Sequence, residues 1–193
     1  QADDIRNQNI YSTNQTDEYT LNVVYRQPIS SKQTIMFNVS NTWKNEYQGR
    51  ETFDLNTSSD AYTEYNHLLS YSNSLKSFKV DPTFGYQISG EKYYFSFGAG
   101  TVLNNYDVMS SYNNANYVNK RLDILPNVRT YANYRIGKST SISANYSYRE
   151  DSPLMFQLLE YEDLSNPLFI SKGNKDLQTV QRHNFYLNFN NYD

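Results

Sequence analysis

Ser89-Gly90-Glu91-Lys92 spells S-x-x-K, the spacing that sets a nucleophilic serine at a helix start with a lysine one turn later. That chemistry needs a helix. These four residues instead separate two alternating apolar runs, so the sequence predicts a tight hairpin turn. Glu150, Asp151, Glu160, Glu162 and Asp163 crowd a second segment. Paired carboxylates can act as acid and base on a glycosidic bond, or offer oxygen ligands to calcium. The plainer reading is a solvated acidic loop. His67 and His183 lie far apart and have neither cysteine nor H-E-x-x-H context, so they do not read as metal ligands. Gly98-Ala99-Gly100 is followed by no helix and is not a phosphate loop. Asn14-Gln15-Thr16, Asn38-Val39-Ser40 and Asn145-Tyr146-Ser147 are glycosylation sequons by pattern only. Tyr106, Tyr112, Tyr117 and Tyr161 fall in polar stretches, where tyrosine offers a large contact area at low entropic cost. They are the candidate ligand-binding residues. No catalytic residue, metal site or cofactor is expected, and the chain does not read as an enzyme.

The elements that would carry these residues announce themselves by period two. Leu122, Ile124, Pro126, Val128, Thr130, Ala132, Tyr134 and Ile136 share one parity, and Arg121, Asp123, Asn127, Arg129, Asn133 and Arg135 the other. Successive strand residues face opposite sides, so this stretch has an apolar side and a charged side over some fifteen residues. Ordinary strands run to about five or six residues, whereas a bilayer-crossing strand needs about nine to eleven. The same alternation predicts strands at about 17–27, 33–47, 76–88, 92–104, 120–136, 140–149 and 178–190. Polar connections fall between them, the long ones at about 48–75, 105–119 and 150–177. In order the connections run short, long, short, long, short, long, the pattern of a bacterial barrel with short periplasmic turns and longer extracellular loops.

Composition agrees. The 193 residues are only 38% hydrophobic yet include 20 Tyr, 10 Phe and 1 Trp. Disordered chains lack such aromatics, and a barrel with a polar interior and an aromatic, apolar exterior has them. The absence of cysteine excludes a disulfide scaffold. A net charge of −3 gives no basic patch for nucleic acid. No apolar run reaches the length of a membrane helix. The predicted fold class is all-β: an antiparallel up-and-down meander of seven or eight strands, part of a transmembrane outer-membrane barrel. Neither end reads as a natural terminus, so a fragment of a longer protein is expected.

The expected lipid-facing residues are Tyr19, Leu21, Val23, Tyr25, Ile35, Phe37, Val39, Phe84, Tyr86, Phe95, Phe97, Val128, Tyr134, Ile142, Tyr146, Phe185, Leu187 and Phe189. Tyr19, Tyr25, Trp43, Tyr86, Tyr93, Tyr134 and Tyr148 are placed near strand ends, as interfacial girdles. Arg26, Lys44, Lys79, Asp81, Arg129 and Arg135 would face the lumen, with salt pairs across neighbouring strands. An Arg or Lys turned to lipid would cost about 2–4 kcal/mol at the midplane.

Asn166-Pro167-Leu168 and Gly173-Asn174-Lys175-Asp176-Leu177 resemble the "NPL…GNPDLKPE" segment of TonB-dependent receptor barrels of the Bacteroidetes type. Gln181-Arg182-His183-Asn184-Phe185-Tyr186-Leu187 is similar to the strand that follows it there. Asn119-Lys120-Arg121 with Leu125-Pro126-Asn127 resembles the "NKR…LPN" strand entry, and Gly90-Glu91-Lys92-Tyr93-Tyr94-Phe95 the "GEKFNFS" turn. Lys175 stands where that family has proline, and Gln178-Thr179-Val180 where it has "KPE". The resemblance covers about residues 17 to 190. It implies a barrel of about 22 strands with an N-terminal plug, in the outer membrane of a bacterium, importing a bulky solute. Its partners would be outer-membrane lipid, an inner-membrane TonB-type energy coupler acting through a plug outside these residues, and a surface lipoprotein. The alternative is a soluble β-sheet binding module, an adhesin or glycan-binding domain of a cell-surface protein.

Overall fold

A computed structural model describes residues 7–159, 162–163 and 171–192. Ten strands follow in chain order: β1 (Gln8–Ser30), β2 (Gln33–Asn56), β3 (Ala61–Tyr65), β4 (Tyr71–Ser89), β5 (Tyr93–Tyr112), β6 (Ala115–Arg135), β7 (Thr140–Asp151), β8 (Glu162–Asp163), β9 (Ser171–Lys172) and β10 (Val180–Asn191). Seven of them form one antiparallel meander, β1-β2-β4-β5-β6-β7-β10, with β3 attached beside β2. β8 and β9 pair with each other. A 3-10 turn spans Met155–Leu158. No helix among the described residues is long and apolar enough to cross a membrane. β1 and β10 are the two edges and do not pair, so these strands form an open sheet.

All seven predicted strands are present, but their bounds differ from the alternation. β1, β2, β4, β5 and β6 run to 23, 24, 19, 20 and 21 residues, about twice what a bilayer requires. The extra length lies at one end, and it corrects the expected loops. The 105–119 segment is strand almost throughout, closed by Asn113-Asn114 at φ 47° and 61°. Two successive left-handed residues make the mirror-image turn whose twist suits a two-residue hairpin. The 48–75 segment likewise divides into the end of β2, β3 and the start of β4. Alternation hid these extensions because polar residues fall on both faces there.

At the opposite rim the turns are short. Ser89 ends β4 and the Gly90 amide donates to the Tyr93 carbonyl (2.8 Å), so the S-x-x-K run is a hairpin with no helix. Backbone bonds from Ser89 to Lys32 (2.8 Å), Arg135 to Lys92 (2.7 Å) and Tyr192 to Ser139 (3.1 Å) tie each strand end to the neighbouring turn.

Register puts every residue named above for the lipid side on one face. Tyr25, Phe37, Phe84, Ala99, Val128, Tyr148 and His183 stand side by side across the seven strands. This face is uncovered: Leu21, Phe37, Phe84, Ile124 and Leu187 are all exposed. A sheet in water would cover such a face with a second layer, and among the described residues none lies on it. The upper limit of the apolar band is a single register row, Tyr19–Trp43–Phe78–Asn105–Leu122, in which the Trp43 and Phe78 rings are 5.3 Å apart. Two residues above it runs a charged row, Asp17–Asn45–Lys76–Asp107–Lys120, with Lys120 paired to Asp107 at 3.2 Å. Tyr19 and Trp43, expected near strand ends, therefore sit in mid-strand. The strands continue past the edge of the apolar band.

Candidate functional site

The other face is largely polar, and Arg26, Lys44, Lys79, Asp81, Arg129 and Arg135 all lie on it by register. Its lower half is open. Arg26, Met36, Gly85, Gly98 and Arg129 form one row. The two glycines put no side chain on this face, which leaves a recess of about 520 Å³ between the arginines. Among the described residues no carboxylate pairs with either guanidinium. The nearby Asp81 instead accepts from Thr83 (3.2 Å) and Asn127 (3.3 Å). The expected cross-strand salt pairs are few. Lys44 pairs with Glu46 two residues along its own strand (2.7 Å), and Arg121 does so with Asp123 (2.5 Å). Arg182 reaches across from β10 to Asp151 of β7 (3.3 Å).

The upper half of this face is covered. The β7–β10 connection turns back over it and sets Leu158 and Leu159 against Tyr106 and Val108, with Leu75 and Leu177 at the margin. Beneath them Asp123 is 5% exposed and is fully engaged. Arg121 Nε donates to Oδ1 (2.5 Å), while the Tyr106 hydroxyl (3.3 Å) and the Ser152 hydroxyl (2.5 Å) donate to Oδ2. A buried carboxylate is tolerated only with such partners. Arg121 Nη1 also donates to the Leu177 carbonyl (2.5 Å), fastening the returning chain. Burial first, and then the Asp123 charge, push the Tyr106 hydroxyl up to about 12, so it stays a donor at any physiological pH. At Gly173 a Cβ would collide with the carbonyls of Leu159 and Gln157, so only glycine lets the two arms of the connection meet.

The candidate residues separate accordingly. Tyr106, Tyr112 and Tyr117 are strand residues on the polar face and not loop aromatics, which corrects their expected setting. Tyr106 is spent on Asp123, and Tyr112 donates to the Leu68 carbonyl (3.0 Å). Tyr161 and Glu160 lie outside the described residues, as does Asn166-Pro167-Leu168. Glu150 and Asp151, adjacent in β7, point to opposite faces and do not form a carboxylate pair. Glu150 accepts from Tyr148, Thr179 and Gln181. These bonds, that from Tyr148 above all, hold its carboxyl below the usual range. His67 lies beyond β3 and His183 in β10, far across the sheet. His183 meets the rings of Tyr146 and Tyr148, its Nδ1 lying 3.0 Å from the Tyr146 hydroxyl. Among the described residues no group of three acidic or histidine side chains could hold a metal. Alternation missed the Leu158-Leu159 seal. Its one signal was an adjacent apolar pair inside an acidic stretch.

The model of a family described as outer membrane protein beta-barrel family matches residues 1–193. No curated protein and no solved structure matches the chain.

Proposed function

The chain belongs to the outer membrane protein beta-barrel family and is located in the bacterial outer membrane, and from that premise we propose that it is a wall and extracellular segment of a TonB-dependent receptor importing a bulky solute. The exposed apolar band is the lipid contact, and the polar face lines the lumen. The observation that carries the import reading is the unclosed polar face. Seven strands set side by side leave β1 and β10 unpaired with each other, and among the described residues no carboxylate pairs with Arg26 or Arg129 on that face. About eight strands already close a barrel that side chains can fill. An unclosed wall of this breadth supports a wider lumen with room for a solute or a plug. The resemblance around residues 166–187 supports the same assignment, Bacteroidetes type included. The wall has no catalytic role. Its partners are lipid, a TonB-type energy coupler reached through a plug, and a surface lipoprotein.

The test is retention of the full-length protein, folded in detergent, on a column bearing the periplasmic domain of the coupler. Specific retention is expected. A folded barrel that passes straight through would overturn the import reading and leave the barrel assignment standing.

A further inference from the structure

Above the charged row, the outer wall carries a cleft of about 420 Å³. Its floor is one register row of small residues, Thr13–Gly49–Ser72–Ser111. Four adjacent strands at about 4.8 Å spacing make a trench about 14 Å long. The Tyr47 ring lies across Gly49: a Cβ there would stand 2.9 Å from the Tyr47 hydroxyl and 3.1 Å from its ring. On the far side stand Tyr11, Tyr65 and Glu51.

The Tyr11 and Tyr65 side of the cleft is held in place by its neighbours. Phe53 packs edge-on to Tyr11 (6.0 Å) and to Tyr65 (5.4 Å), and Tyr65 to His67 (4.8 Å). The segment leading from β3 into β4 is pinned to β2. The Asn66 amide donates to the Thr52 carbonyl (2.8 Å), Asn66 Nδ2 to Asp54 (2.8 Å), and the Thr52 amide to Ser70 Oγ (2.9 Å). Preorganised walls reduce the ordering cost of binding. Yet Tyr11, Tyr47 and Tyr65 remain 56%, 43% and 43% exposed.

We propose that this trench binds a neutral oligosaccharide. A sugar ring has apolar C–H faces that lie flat on tyrosine and a rim of hydroxyls that need acceptors and donors. The floor supplies hydroxyls, and Glu51 supplies a charged acceptor, which makes stronger hydrogen bonds than a neutral one. Among the described residues no lysine or arginine lines the cleft and Glu51 does, which disfavours an anionic ligand. A purely apolar ligand would strand the floor hydroxyls without partners. Three tyrosines and a carboxylate could also cage an ammonium, but a point cation has no use for a hydroxyl-floored trench spanning four strands. The site lies on the outer wall and not in the lumen, so it is separate from import.

The test is isothermal titration of the full-length protein in detergent with maltohexaose, cellohexaose and laminarihexaose as probes, and choline as the cation. At least one sugar is expected to bind. Tyr47→Ala, which removes a wall, and Ser72→Leu, which fills the floor, should each weaken it by about tenfold or more. Asp107→Asn, on the same face but outside the trench, should leave it unchanged, and heat-modifiable gel migration reports that each variant is folded. Three outcomes would overturn the proposal: no binding by any of the three sugars, sugar binding untouched by both trench variants, or choline binding in place of sugar. Coupler retention is read separately, so either idea can fail alone.

Discussion

The same five long strands are used in opposite ways below and above the Asp17–Lys120 row. Below it the outer face is apolar, bare and free of charge, and the inner face is open. Above it the inner face is the buried one, closed over by Leu158 and Leu159, with the Asp123 network just beneath that row. The outer face there turns polar and holds a tyrosine-walled trench. Alternation persists through both halves. What changes is the medium on each side. Hydrocarbon below demands an apolar exterior, while water above lets the protein place its apolar contacts inside. One strand can thus serve as membrane wall and as scaffold for a folded crown beyond the apolar band.

The largest effect should come from breaking the lower half. Phe37 and Asn38 are neighbours on opposite faces. Arginine at 37 would face lipid at a cost of about 2–4 kcal/mol, whereas at 38 it would face the lumen. The folded fraction of full-length protein recovered from outer membranes should fall for Phe37→Arg and hold for Asn38→Arg. Equal yields would erase the distinction between the faces.

The upper half should break differently. Leu158→Ala or Leu159→Ala removes buried packing worth about 2–5 kcal/mol, but on a connection the membrane wall does not need. Protease added to intact cells should cut within residues 152–179 sooner, with barrel yield unaffected. Cleavage as slow as in the native protein would mean that the leucines do not hold this connection.

The smallest effect lies at the end of β7. The Glu150 carboxyl is lowered by bonds from Tyr148, Thr179 and Gln181. A lowered folded-state value means that its contribution is present above the ordinary carboxylate range. It is lost as the pH falls through the folded value. Amide exchange at residues 178–182 should therefore quicken in acid, and Glu150→Gln should remove that dependence. Exchange equally acid-sensitive in the variant would assign the effect to another group.

The halves also differed in how far they could be read in advance. The lower half was legible because lipid imposes a strict rule on one parity, and Leu122 through Ile136 obey it. The upper half was not, because a strand wet on one side and roofed by a loop on the other need not alternate. Ser110, Ser111, Asn116 and Asn119 look like loop residues. The Asn113-Asn114 pair, whose side chains tolerate left-handed backbone, was the one local sign of a hairpin. Tyr106, Tyr112 and Tyr117 were picked out for polar neighbours, and two of them use that polarity on the protein itself. The trench could not be seen from sequence at all. Its floor brings together positions 13, 49, 72 and 111, which only register makes adjacent.

The charged row fixes the depth at which this wall rides. A lysine caught in a thicker bilayer can extend its ammonium toward the headgroups, but the short carboxylates of Asp17 and Asp107 have no such reach. Alternating them along one line therefore resists submersion. A change of lipid length should alter the lean of the strands before it draws that line under.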